Sequence, residues 1–413
     1  MIKEKLVPNK RFEGFTDSWD VSDLHEFKFY ISDGNYGELY PRADEFIKTG
    51  IPFLRVNNLK NGYLTNKDLV YISPVLHSKL LSGHLMERDV LITTRGQIGK
   101  IAYVDKKFEG ANINAQICLI RTENKMSPEY LHQFLQTEDS QRQIISLQSG
   151  SALKQLPRHR LNKVSIKYPL SKTEQEKIGS FFKKIDEMIQ LQQSKVNKIK
   201  DIKSAYLSEM FPKEGEKYPK KRFEGFTEPW NERSLSDLGD IITGTTPSTK
   251  NETYYSENGI PWVTPTDIYK NITYKSKRHL SKAGQQVSKV VPKNTILVTS
   301  IASIGKNTIL GRAGSFNQQI NALVPNRNLC SPYFLFIQSF FWSEKMKQTA
   351  ASGTMQIVNK TEFSKITTKV PVLEEQEKIG QFFKNLDNQI SIEEEKLAKL
   401  KKLKQAYLND MFV

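Results

Sequence analysis

The chain has 413 residues, 38% of them apolar, with a formal charge of +16 and a pI near 9.4. That length implies two to four domains, the apolar content excludes global disorder, and the excess of Lys and Arg points to a polyanionic partner. No apolar stretch approaches the roughly 18 residues of a membrane span, and Met1-Ile2-Lys3-Glu4-Lys5 lacks the apolar core of a signal peptide. A cytoplasmic protein is therefore expected, with nucleic acid favoured over a membrane as the anionic partner. Cys118 and Cys330 are the only cysteines, and both are expected as buried free thiols.

A polar leader precedes Arg11-Phe12-Glu13-Gly14-Phe15 and Trp19, and the same words return at Arg222-Phe223-Glu224-Gly225-Phe226 and Trp230. Between them, Gly50-Ile51-Pro52-Phe53 has its answer in Gly259-Ile260-Pro261-Trp262. Val90-Leu91-Ile92-Thr93-Thr94 before Ile98-Gly99-Lys100 is matched by Ile296-Leu297-Val298-Thr299-Ser300 before Ile304-Gly305-Lys306. Short runs of Ile, Val and Thr broken by Gly, Asn and Pro predict strands. Ser127-Pro128 and Ser331-Pro332 each open an amphipathic helix, and Ser149-Gly150-Ser151 is matched by Ser352-Gly353-Thr354.

Each copy then ends in a long helix with a seam of period 3.5. The first seam is Ile178, Phe182, Ile185, Ile189, Val196, Ile199, Tyr206 and Met210, with polar Gln192 and Lys203. The second, 201 residues later, is Ile379, Phe383, Leu386, Ile390, Leu397, Leu400, Tyr407 and Met411, with polar Glu393 and Lys404. Glu-Gln-Glu-Lys-Ile-Gly opens both, at 174–179 and 375–380. Thr173 and Glu176 form a capping box for the first helix, Pro212 stops it, and 212–221 reads as a basic linker. The chain thus divides into a mixed segment at 1–172, a helix at 173–212, a second mixed segment at 213–373 and a second helix at 374–413. The fold class expected is α+β, in tandem copies whose long helices pair as an antiparallel coiled coil, with Lys203 opposite Glu393.

Catalytic signatures are missing. Gly96-Gln97-Ile98-Gly99-Lys100 is too short for a phosphate loop and reads as a turn after a strand. Two cysteines and six scattered histidines, among them His77, His84, His132 and His159, give no zinc spacing. No pair of carboxylates stands out for acid–base work. What remains is a set of donor-rich loops, and such side chains suit phosphates and base edges. In the first copy these are Asn35, Tyr36, Arg42, Arg55, Asn57, Asn58, Arg95, Gln97, Lys100, Lys154, Arg158 and Arg160. An amide cluster, Asn112, Asn114 and Gln116, accompanies them. In the second copy they are Thr245, Thr246, Ser248, Thr249, Lys250, Thr264, Thr266, Lys306, Asn317, Gln318, Gln319 and Lys360. Ordinary loop solvation is the competing explanation for any one of them.

The duplicated Glu-Gln-Glu-Lys-Ile-Gly helices, with Gly-Ile-Pro-Phe/Trp and the Ser-Gly-Ser/Thr turn ahead of Tyr168-Pro169 and Val370-Pro371, resemble the specificity (S) subunit of type I restriction–modification enzymes. The resemblance covers essentially the whole chain. It implies two target-recognition domains, each reading one half of a split double-stranded DNA site. It also implies that the two helices separate these domains and dock two methyltransferase (M) subunits, with restriction (R) subunits in the full complex. No catalytic residue, metal or cofactor is implied for this chain; S-adenosylmethionine belongs to M, and ATP and magnesium to R. A methyltransferase or nuclease with degenerate motifs, or a coiled-coil adaptor that binds only proteins, would be the alternatives.

Overall fold

The structure, a computed structural model, describes residues 5–151, 153–301, 303–351 and 357–413. Met1 to Glu4 of the leader and the Ser352-Gly353-Thr354 word lie outside the described residues. The chain forms two compact units: Met1–Gln193 with Lys396–Val413, and Ser194–Glu395.

In the first unit, six strands run in the order Tyr30–Asp33, Ile117–Arg121, Val90–Thr93, Ile101–Tyr103, Gly62–Leu64 and Leu59–Lys60. A second sheet joins Val70–Ile72, Ile51–Leu54 and Asn112–Ile113. Val90, Leu91 and Ile92 are wholly buried, which is why this run carries no polar alternation. The helix Pro128–Phe134 starts where expected, with Ser127 Oγ accepting from the Tyr130 N–H. It buries Tyr130, Leu131 and Phe134 in the core.

The second unit repeats the plan with different loops. Its main sheet runs Gly239–Thr243, Ile320–Pro325, Ile296–Thr299, Asn307–Leu310, Ile272–Thr273. Its other sheet joins Arg278–Leu280, Tyr255–Val263, Gly314–Phe316 and Val290–Val291. The helix after Ser331 extends from Pro332 to Ala351. A two-stranded ribbon closes each unit, Asp20 to Asp23 on Ser165 to Tyr168 in one and Asn231 to Ser234 on Thr367 to Val370 in the other.

The long helices span Lys172–Glu209 and Leu373–Met411. The first begins earlier than its expected capping box. The Glu174 N–H points to Ser171 Oγ at 3.4 Å, so Ser171 caps the helix and Thr173 already lies inside it. Within the first unit, Ile178, Phe182, Ile185 and Ile189 share one core with Leu397, Leu408, Met411 and Phe412. Within the second, Met210 and Phe211 share one with Ile379 and Phe383. In both, an early stretch of one helix meets a late stretch of the other, which is antiparallel pairing. Val196 and Ile199 are buried too, while Leu386, Ile390 and Leu400 are half-buried.

The register differs from the one expected. Lys203 Nζ lies 2.6 Å from Asp387, and Glu393 instead meets Lys195 at 3.0 Å. In antiparallel helices, moving forward along one means moving backward along the other. With Lys203 at Asp387, Glu393 therefore reaches a residue before Lys203. The same pairing recurs in the first unit, where Lys404 Nζ lies 2.7 Å from Asp186.

Candidate nucleic-acid interface

Three of the donor-rich loops meet at one edge of each main sheet. In the first unit, Ile117 is paired with Thr93 and Cys118 with Asp33, so the segments after Asp33, after Thr93 and before Ile117 emerge together. In the second, Ile320 is paired with Thr299 and Asn321 with Thr243, which gives the same edge.

The turn after each central strand is built by one threonine. Thr93 Oγ1 donates to the Gln97 carbonyl and accepts from the Lys100 N–H at 2.9 Å. Thr299 Oγ1 likewise donates to the Ser303 carbonyl and accepts from the Lys306 N–H at 2.9 Å. Gly99 and Gly305 sit at φ +85° and +80°, a left-handed conformation that a side chain would strain. The Gly-Lys pair is thus the closing half of a turn, as the sequence suggested.

A bracket of two amides supports the turn from beside it. Asn114 Nδ2 donates to Gln116 Oε1 at 3.1 Å, and Asn114 Oδ1 accepts from the Gln116 N–H. Asn317 and Gln319 form the same pair at 2.9 Å. The carbonyls of Gln116 and Gln319 each accept from the backbone of the turn, at Thr94 and Ser300, both at 2.8 Å. A third loop crosses tightly on this bracket. A Cβ at Gly34 would fall 2.3 Å from the Ile113 carbonyl, and one at Gly244 2.2 Å from the Asn317 carbonyl.

Several donors are committed inward. The Asn35 side chain donates to Ser82 O and accepts from the Leu81 N–H. Thr245 holds the equivalent place and bonds Ser288 and the Lys289 N–H. Asn58 is fully buried, accepting from the Arg55 N–H and donating to the carbonyls of Thr65 and Lys67. Thr264 donates to Asp267, which closes the same turn in the second unit.

The outward side chains differ between the units. In the first, the Arg95 guanidinium lies 4.9 Å from the centre of the Tyr36 ring, and both are exposed. Partial burial and the nearby Asp33 raise the Tyr36 hydroxyl above its ordinary pKa. Gln97 is exposed on the same turn, and Lys154 lies on the hairpin closed by Ser149 and Gln155, which bridges Arg95. Arg158 donates to the Ile31 carbonyl on the neighbouring edge strand. In the second unit the Thr246 hydroxyl donates to Gln318, and Lys360 and Lys306 are exposed.

Other candidates stand elsewhere. Exposed Asn57 and Thr266 belong to the turns that Asn58 and Asp267 close. Arg55 donates to the Asp68 carbonyl, and Arg160 to that of Gln148. The Arg42 backbone N–H is capped by Glu45. Lys100 faces Asn61, Gln136 and Gln141. Lys250 is exposed in the turn before Asn251.

The repeated helix word has a structural job that its composition did not disclose. Glu174 is gripped by both sides of the Arg11 guanidinium at 2.7 and 2.8 Å, and Glu375 by Arg222 at 2.7 Å twice. Gln175 accepts from the Ser127 N–H and donates to Pro169 O; Gln376 does the same with Ser331 and Pro371. Gly179 and Gly380 let the helix that follows each serine approach. The Arg-Phe-Glu-Gly word and the Glu-Gln-Glu word recur together because they are bonded.

Among the described residues no group of three or more His, Cys, Asp or Glu could hold a metal, and no helix is long and apolar enough to cross a membrane. Both cysteines are free and buried, and burial pushes the Cys330 thiol up to about 11 and raises Cys118 as well. Such thiols are poor nucleophiles.

The profile of the family described as the type I restriction modification DNA specificity domain matches residues 17–201 and again 227–402. The type I restriction enzyme HindI specificity subunit of Haemophilus influenzae is 30% identical over 184 residues, 42% of this chain and 39% of that one. The MjaIX specificity subunit of Methanocaldococcus jannaschii is 27% identical over 190 residues, 45% of this chain and 44% of that one. The chain thus spans about two-fifths of the length of these curated relatives. The crystal structure of the type I restriction–modification S subunit from M. genitalium shares the fold, with a TM-score of 0.70 at 14% identity over 98% of this chain and 99% of that one. With both repeats matched, the chain belongs to the type I restriction modification DNA specificity domain family.

Proposed function

We propose that this chain is the non-catalytic DNA-reading subunit of a type I restriction–modification enzyme. The observation that carries the reading is the repeated loop edge. Both units hold the same threonine turn on the same Asn-x-Gln bracket, and the side chains they turn outward differ. A rigid frame with exchanged outer residues is what two readers of different base sequences require, since phosphate contacts position a protein but only base contacts specify. The recognition domains on this reading are residues 1–172 and 213–373, joined by helices at 173–212 and 374–413. The formal charge of +16 supports a duplex DNA partner.

Two methyltransferase subunits dock on the helices, and restriction subunits complete the assembly in the cytoplasm. S-adenosylmethionine, ATP and magnesium act in those partners, and this chain contributes placement alone. Genome-wide mapping of adenine methylation, with and without the gene, tests the proposal. The expected result is a split motif that disappears with the gene. Methylation or cleavage of DNA by the purified lone chain, supplied with S-adenosylmethionine and magnesium, would contradict the non-catalytic role.

A further inference from the structure

One position on the loop edge carries opposite chemistry in the two units. In the first it is Arg95, bridged antiparallel to Gln155; in the second it is Ile301, bridged in the same manner to Ile357. The backbone beside them shares one further bond. Thr94 and Ser300 each accept from the segment beyond, at Leu156 and Val358. Arg95 is exposed, and no ion pair with a carboxylate holds it among the described residues. Its contact is the face of Tyr36, which orients a planar guanidinium without consuming its N–H groups. Ile357 is 50% exposed, and Ile301 beside it is half-buried.

We infer, resting on the DNA-reading function above, that this position determines specificity in both units. Arg95 reads a guanine in one half-site, and Ile301 with Ile357 receives a thymine methyl in the other. The guanidinium fork matches the O6 and N7 acceptors of guanine in the major groove, and an apolar side chain matches the 5-methyl of thymine. A role in phosphate contact alone would not account for isoleucine at the same place, because isoleucine can donate nothing to a phosphate.

The test uses the full chain with its methyltransferase partners and competing duplexes varied one base at a time across both half-sites. Arg95→Lys keeps the charge but loses the fork. It is expected to lose preference for guanine at one position of one half-site, by about 5- to 150-fold, with the other half unchanged. Ile301→Ala should lower the preference for thymine in the other half by about fourfold. The double exchange of Arg95→Ile with Ile301→Arg should move the guanine preference from one half-site to the other. Overturning results would be an Arg95→Lys complex with the original base preference, or an Arg95→Ala complex weakened equally on all sequences with a salt slope reduced by about one. Those results leave DNA reading intact. A parent complex with no split-site preference at all would remove both proposals.

Discussion

The two units are the same machine in their frames and different ones at their surfaces. Around the Arg-Glu clasp, Trp19, Tyr130, Phe182 and Phe412 in one unit correspond to Trp230, Phe334, Phe383 and Phe211 in the other. The polar seam pairs correspond as well, Lys404 with Asp186 and Lys203 with Asp387. Yet Asn35 answers to Thr245, Arg95 to Ile301 and His132 to Phe336. Identity survives at the clasp and in the Gln175 and Gln376 bonds, and lapses at the loop edge and at the His132 position. Gln175 bonds two backbone groups on different segments, and any replacement loses at least one.

The clasp offers the sharpest check of equivalence. Arg11→Ala and Arg222→Ala should each destabilise their own unit by about 3–5 kcal/mol, because Glu174 and Glu375 would be left buried without a counter-charge. Fluorine-labelled tryptophan separates the units, since Trp19 belongs to the first and Trp230, Trp262 and Trp342 to the second. Losses that differ greatly between the two variants would break the comparison.

Acid should separate the units. Burial, reinforced by Lys404, pulls the His132 imidazole down to about 4, and its neutral ring donates to Gly62 O from Nε2 while Nδ1 accepts from Gln133. Below the ordinary value of 6.5 the unfolded chain gains a proton that the folded unit refuses, so stability falls as pH drops from about 6.5 to about 4. The loss reaches roughly 3 kcal/mol at the acid end. Phe336 stands at this place in the second unit. In denaturant titrations at pH 7 and pH 4.5, the Trp19 signal should shift to lower denaturant by more than the signals of the second unit.

The smallest difference concerns the two helix glycines. A Cβ at Gly179 would meet Glu129 Cβ at 2.6 Å and the Tyr130 N at 2.8 Å; at Gly380 the closest atoms, Phe334 N and Ser331 Oγ, are both 3.0 Å away. Gly179→Ala should cost about 2 kcal/mol through overpacking. In Gly380→Ala the milder crowding is largely offset by the helix preference of alanine, about 1 kcal/mol, leaving little net change. Melting temperatures of the two variants measure the contrast.

Much of the frame was legible because its cause is local. The seam shows as a 3.5-residue period, the Ser-Pro starts are caps, and the runs from Val90 and Ile296 are strands buried on both faces. The register of the helices was not legible. Lys195 and Lys203 offer the same charge, as do Asp387 and Glu393, so composition alone fits several alignments. Nor does residue type tell an inward amide from an outward one. Asn35 is fixed by a carbonyl 47 positions away, whereas exposed Gln97 lies on a turn tip. The repeated Asn-x-Gln spacing was the available sign of a scaffold, and it reads equally well as a row of base-contacting amides.

The division of the chain sets an order of assembly. The second unit is one continuous segment, Ser194–Glu395, with Phe211 already present when Trp230 emerges from the ribosome. The first unit needs Lys396–Val413, made about 200 residues after Gln193. At roughly 5–20 residues per second, the gap lasts on the order of 10–40 s. During that time Trp19, Tyr130 and Phe182 wait without Phe412, whose ring stands 5.3 to 6.2 Å from theirs in the finished fold. The first half to be translated is therefore the second to be completed, and its aromatic cluster closes only with the last residues of the chain.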